Sequence, residues 1–133
     1  MGEVYRARDT KLARDVAIKV LPAGALADPV ARERLIREAR LAASLSHPCI
    51  CTIHDVGEAD QLTFVAMELI TGRSLADVIP AEGLPLDEVL RYGPQIADGV
   101  AHAHAQGVVH RDLKAATVIV LAAGGAKVLL FGR

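Results

Sequence analysis

Apolar and polar residues along the chain change their period from segment to segment, and the changes predict a succession of short strands and two longer helices. Val16 to Leu21 (VAIKVL) is a short apolar run bounded by Asp15 and Pro22. Strand alternation puts Val16, Ile18 and Val20 on one face and Ala17, Lys19 and Leu21 on the other, so Lys19 stands on a largely apolar face. Asp28-Pro29 then reads as an N-cap followed by proline at the first helical position, and helical spacing continues to about Ser44 before His47-Pro48 ends it. On that helix Leu35, Glu38, Ala42 and Leu45 recur at steps of three and four. Glu38 therefore lies on the inward stripe, where a carboxylate wants a cationic partner.

Ile50 to Leu69 predicts two strands around a polar turn, Gly57 to Gln61, with Thr63 to Leu69 (TFVAMEL) as the second strand and Thr71-Gly72 as a break. A loop with Pro80, Gly83 and Pro85 precedes a long helix from Leu86 to Gln106, stopped by Gly107. Leu86, Val89, Leu90, Ile96, Ala97 and Val100 are its expected apolar side, and Pro94 is expected to kink it or split it in two. Thr117 to Leu121 and Ala126 to Leu130 flank Ala122-Ala-Gly-Gly125, a hairpin signal. Strands first and a long helix later, with hairpins in both halves, predict an α+β fold rather than a doubly wound parallel sheet.

Composition narrows the function classes. Hydrophobic residues are 52% of the 133 and aromatics 3%, with no Trp, which is globular composition with a core of small aliphatic contacts. A net charge of -1 supplies no basic field for nucleic acid or anionic lipid. No stretch approaches the length of a membrane-spanning helix and the N-terminus has no apolar leader, so the expected compartment is the cytoplasm. Cys49 and Cys51, two apart, are too few for a zinc site and poorly placed to bridge each other, and are expected to be inert buried thiols. His102 and His104, also two apart on a helix, do not share a face and form no metal pair.

One constellation carries chemistry. Val109-His-Arg-Asp-Leu-Lys114, between the helix end and the last hairpin, resembles the catalytic loop of protein kinases. Val16-Ala-Ile-Lys19 resembles the strand bearing their phosphate-binding lysine, Glu38 sits on the helix that follows, and Met67-Glu68-Leu69 resembles the gatekeeper and hinge. Gly2-Glu-Val4 with the residues to Asp9 resembles the end of the Gly-rich loop and the strand after it, and Phe131-Gly132 stands where the metal-binding motif falls. The order and spacing of these pieces, from Gly2 to Gly132, are similar to bacterial serine/threonine kinases. A kinase-like fold is implied, with about 1–70 as the small lobe and hinge and about 71–133 as the beginning of the large lobe.

The resemblance implies ATP as the ligand and assigns roles. Lys19, held by Glu38, would neutralise phosphate oxygens under the backbone N–H groups of the Gly-rich loop. Asp112 would orient an acceptor hydroxyl and take its proton, and Lys114 would steady the transferred phosphoryl group, while His110 and Arg111 hold the loop's shape. Gly2, Val4, Ala17, Met67, Glu68 and Leu69 would surround the nucleotide, Val4, Ala17 and Leu69 as apolar surfaces for adenine and the Glu68 carbonyl and Leu69 backbone as its edge partners. A plain core lysine at 19 and a solvated Glu38 paired with Arg34 are the alternatives read from the residues alone.

The chain departs from the family at both magnesium ligands. The asparagine expected five residues after the catalytic aspartate is Thr117, and the aspartate of Asp-Phe-Gly is Leu130. Magnesium takes oxygen ligands in near-octahedral geometry, so metal-dependent transfer is expected to be severely impaired. A loss of ~4 kcal/mol in transition-state stabilisation is roughly a thousandfold in rate. The Gly-rich loop is expected to lack its first strand and first two glycines, and the rest of the large lobe, with the activation segment and protein-substrate platform, is expected to be absent. A lone chain of this kind is expected to expose apolar surface. The readings that follow are a serine/threonine kinase fragment of unknown protein substrate, a pseudokinase that binds nucleotide or docks a partner, and a remnant without function.

Overall fold

The structure is a computed structural model that describes residues 3–21 and 27–130. Its elements run β1 (Glu3–Asp9), β2 (Arg14–Leu21), α1 (Pro29–Ala43), β3 (Ile53–Ala59), β4 (Leu62–Glu68), β5 (Gly72–Ser74), α2 (Leu75–Val78), α3 (Leu86–Ala105), a 3-10 turn (Ala115–Thr117), β6 (Val118–Leu121) and β7 (Ala126–Val128). The fold is α+β with antiparallel sheets, as expected, and the chain divides into two compact units, one of residues 1–45 and 52–69 and one of residues 46–51 and 70–132.

The first unit is a four-stranded antiparallel sheet in the order β1-β2-β4-β3 with α1 beside it. Register aligns Ala17 with Met67 and Lys19 with Val65, and Met67 in turn with Ile53. These residues share one face, and all of them are buried. α1 buries Ala39 and Ala42, and Leu45 is buried just past its C-cap, while Leu35 and Glu38 are half-buried on its flank. The expected stripe is thus right in Ala42 and Leu45 and omits Ala39. The helix starts as its sequence dictates, with the Asp28 carboxylate accepting from the Val30 N–H at 3.0 Å and Pro29 in the first turn. An ion pair between Arg32 and Glu58 ties α1 to β3.

The β3–β4 turn is tighter than the polar run suggested. Gly57, Glu58 and Ala59 belong to β3, and only Asp60 and Gln61 turn, both at positive φ (49° and 65°). Two left-handed residues match the right-handed twist of a hairpin, and Asp tolerates that conformation, which is why two residues suffice. His54 is the extra residue of a bulge, since Ile53 faces Met67 and Asp55 faces Ala66.

The second unit packs α3 on the antiparallel sheet β5-β6-β7 around Leu75, Tyr92, Val118, Ala126 and Val128. The Ala126 N–H donates to Gln95 Oε1 at 2.9 Å, joining β7 to α3. The 46–51 segment lies along β7, with Cys51 N–H donating to the Val128 carbonyl (2.9 Å) and Val128 N–H to the Cys49 carbonyl (2.8 Å). Neither cysteine lies in a strand. Both are free, Cys51 buried and Cys49 half-buried with its thiol pushed up by burial and by the Asp98 carboxylate.

Two helical expectations change. Thr71-Gly72 does not simply break the chain, because β5 begins at Gly72 and Ser74 caps α2, accepting from the Asp77 N–H at 3.2 Å. α3 runs through Pro94 without splitting, and it buries Tyr92, Gly99 and Ala103 rather than Leu86, Val89 and Leu90, which are exposed. Tyr92, Ile96, Gly99 and Ala103 recur at steps of three and four, so an equally periodic stripe was available. Gly99 belongs to it because a Cβ there would lie 3.0 Å from the Cys49 carbonyl oxygen.

Candidate functional site

The first set of candidate residues lies on the sheet of the first unit. Lys19 in β2 is only 6% exposed, between Val4 of β1 and Val65 of β4 in register, with Ala17 and Met67 two residues along the same face. A buried ammonium is stable only with compensating partners, so Lys19 is not a surface lysine snorkelling to solvent. Glu38 is half-buried on α1, one residue before the buried Ala39. Val4 is 56% exposed and so is not a core residue. Leu69 is half-buried. Glu68 is anchored twice to Thr52, its N–H donating to the Thr52 carbonyl (2.9 Å) and its Oε1 accepting from the Thr52 N–H (3.2 Å). Gly2, Phe131 and Gly132 lie outside the described residues.

The second set is the loop after α3, in the second unit. Its geometry is built by His110 and Thr117. His110 Nδ1 accepts from the Asp112 N–H at 3.1 Å, so Nε2 carries the proton it shares with the Leu129 carbonyl at 2.5 Å. Between them Arg111 takes a left-handed conformation, φ 68°, which a non-glycine residue adopts only where the surroundings hold it. The turn brings Lys114 Nζ to 3.2 Å from Asp112 Oδ1. Asp112 and Lys114 are both exposed at the end of a rigidly bonded loop. A carboxylate and an ammonium so placed can accept a proton and stabilise a developing anion, respectively.

Thr117 is 1% exposed and its hydroxyl is committed to that loop. Oγ1 accepts from the Lys114 N–H at 3.1 Å and donates to the Lys114 carbonyl at 2.9 Å, with the Asp112 carbonyl farther off at 3.4 Å. The Leu129 N–H donates to the Thr117 carbonyl at 2.8 Å, which ties the loop to the segment after β7. Leu130, half-buried, lines a narrow cleft with Ile50, Val100, Ala103, Val128, His104 and His110. These residues do not fit magnesium. A metal needs oxygen lone pairs directed at it, Thr117 spends its hydroxyl on backbone and Leu130 has no oxygen. Among the described residues no group of three or more His, Cys, Asp or Glu side chains could hold a metal ion.

The bracing role of Thr117 is not announced by the sequence, in which the residue reads as a weaker magnesium ligand in place of asparagine. The signal was the alternative use of a Thr hydroxyl, which readily bonds backbone a few residues away. His47, which in sequence marks only the end of α1, has its Nδ1 accepting from the Cys49 N–H (3.0 Å), its Nε2 3.1 Å from Asp98 Oδ2, and its ring 5.1 Å from that of His102.

The arrangement agrees with comparisons to known proteins. The family model for the protein kinase domain matches residues 1–133. The chain is 37% identical over 137 residues to the serine/threonine-protein kinase PknB of Mycobacterium leprae, covering 99% of the chain and 22% of the relative. It is 41% identical over 133 residues to the serine/threonine-protein kinase PrkC of Bacillus subtilis, covering 99% and 20%. A crystal structure of the Mycobacterium tuberculosis PknI kinase domain superposes with a TM-score of 0.87 at 36% identity, covering 99% of this chain and 55% of that one. The chain therefore spans about a fifth of the curated relatives and about half of a solved kinase domain. The chain belongs to the protein kinase family and corresponds to part of the kinase domain.

Proposed function

We propose that the chain is a nucleotide-binding segment of this family in which phosphoryl transfer to protein hydroxyls is impaired. The observation that carries the reading is Thr117, a buried residue whose hydroxyl holds the Asp112–Lys114 loop together and is thereby withdrawn from metal binding. Lys19 would meet the phosphates of ATP, with Glu38 as its positioning partner. Ala17 and Met67, on the same sheet face, together with Val4, Leu69 and Glu68, would serve the adenine. Asp112 would orient a hydroxyl and Lys114 would balance charge, so the groups for proton handling are retained while the grip on magnesium is lost.

ATP binding measured by calorimetry with and without magnesium tests this. The expected result is binding that magnesium changes by much less than the roughly tenfold equivalent to 1.4 kcal/mol, and that Lys19→Met abolishes. Labelled phosphate transferred to a generic basic protein, and lost in Asp112→Asn, would overturn the impairment. Absence of binding under either condition would favour a remnant without function. Retained binding with no transfer leaves the module acting as a pseudokinase, by docking rather than turnover.

A further inference from the structure

One face of the first unit's sheet gathers ionisable side chains from all four of its strands. Register sets Asp9 of β1 opposite Arg14 of β2 and Val16 opposite Glu68 of β4, and strand alternation from Arg14 to Val16 keeps the two pairs on one side. The other side carries Ala17, Met67 and Ile53, so His54, next to Ile53 on β3, faces the same way as Glu68. The charges of Arg14, Glu68 and Asp9 all act on the half-buried His54 imidazole. The charge that α1 directs at β3, Arg32, meets Glu58 near the far end of that strand, and Asp55 turns its carboxylate back on the Val56 N–H at 2.8 Å.

The two carboxylates near His54 are held differently. Asp9 is committed to its own turn, Oδ1 accepting from the Lys11 and Leu12 N–H groups at 3.0 and 3.1 Å and Oδ2 lying 3.5 Å from Arg14 Nε. The Glu68 carboxylate holds the end of β4, its Oε1 accepting from the Thr52 N–H at 3.2 Å beside the 2.9 Å bond from the Glu68 N–H to the Thr52 carbonyl. A neutral His54 leaves that clasp undisturbed. An imidazolium there is penalised by burial and by the Arg14 guanidinium and favoured by Glu68 and Asp9, and the balance keeps the proton off until the pH is below the ordinary 6.5. Once charged, the ring lowers its own cost by drawing a carboxylate closer, and Glu68 moves more readily than Asp9, which its turn and Arg14 pin. We propose that His54 is a proton-operated latch on the end of β4: charging it pulls the Glu68 carboxylate off the Thr52 N–H and loosens the segment that leads into Leu69. Because Glu68 and Leu69 are read above as partners of the adenine, opening the latch also weakens nucleotide binding, a consequence that rests on that reading. By linkage, bound nucleotide in turn resists proton uptake at His54.

Nuclear magnetic resonance of the 133-residue chain over roughly pH 7.5 to 5 follows the His54 ring and the Thr52 amide together. The Thr52 amide shift is expected to move with the His54 midpoint, and its protection against hydrogen exchange, corrected for the intrinsic rate, to fall roughly tenfold across that step. His54→Gln should make the Thr52 amide indifferent to pH in this range. Glu68→Gln keeps an acceptor for the Thr52 N–H but no charge for an imidazolium to draw, so protection should persist at both ends. Thr52 protection that is unchanged while His54 titrates, or a loss that persists in His54→Gln or in Glu68→Gln, would overturn the latch. Calorimetric ATP binding without magnesium over the same range reads the coupling: affinity should fall roughly fivefold with the His54 midpoint and stay level in His54→Gln. Level affinity in the unsubstituted chain while Thr52 opens would overturn the coupling. Absence of ATP binding at every pH would overturn the nucleotide reading instead, and the Thr52 amide would still decide the latch.

Discussion

At the scale of single residues, the chemistry of the loop rests on a hydroxyl. Thr117→Val keeps the shape and apolar burial of the side chain while removing the acceptor for the Lys114 N–H and the donor to the Lys114 carbonyl. The Lys114 carbonyl keeps the Thr117 backbone N–H at 3.0 Å, so the loss falls on the half-covered Lys114 N–H and costs about 1 kcal/mol; urea unfolding should report a loss of that size, and Thr117→Ser should recover most of it. Nucleotide binding through Lys19 should survive both changes if it rests on the first unit. The roles at this scale were unevenly legible. Lys19 on an apolar strand face and Asp28 before Pro29 could be read because strand alternation and capping are local rules. Thr117 could not, because its partners are chosen by the path the backbone takes, and that path depends on a left-handed Arg111 that no local preference announces.

Among the elements, the errors fall where one pattern admits two readings. Gly72 reads as a breaker, yet it opens β5 opposite Leu121 of β6. The physical reason is close approach: a Cβ at residue 72 would lie 2.3 Å from the Val120 carbonyl oxygen and 2.9 Å from Ile119 Cγ2. Gly72→Ala must push β5 away from β6, and overpacking of this sort costs about 1–3 kcal/mol. Thermal unfolding should report the loss, while Gly93→Ala, at an open position of α3, should not destabilise and serves as the control. α3 shows the same ambiguity on a larger scale. Its two apolar stripes are both helical in period, and sequence alone does not say which meets the sheet. The decision comes from Gly99, whose missing side chain admits the Cys49 backbone, and from Tyr92, the one aromatic residue of the helix.

For the whole molecule, charge sets how stability follows pH. In the first unit burial, helped by the Arg14 guanidinium, holds the His54 imidazole below its ordinary 6.5, and hydrogen bonds from backbone and from Arg6 and Arg8 hold Asp9 and Asp15 below the usual carboxylate range. The sign is the same for all three: wherever the unfolded chain binds more protons than the folded one, stability rises with pH. The His54 contribution is therefore fully present above 6.5 and lost as pH falls below it through the lower folded value, and those of Asp9 and Asp15 follow below 3.8. Tyr5, hydrogen-bonded to Glu3, is shifted upward from 10.0, so the folded chain holds its proton longer and stability declines as pH rises past that value. Chemical unfolding measured at intervals from pH 4 to 8 should show the first limb. His54→Gln, which keeps a polar side chain at the β3 bulge without titrating, should flatten the curve just below 6.5 while leaving the carboxylate loss at lower pH in place.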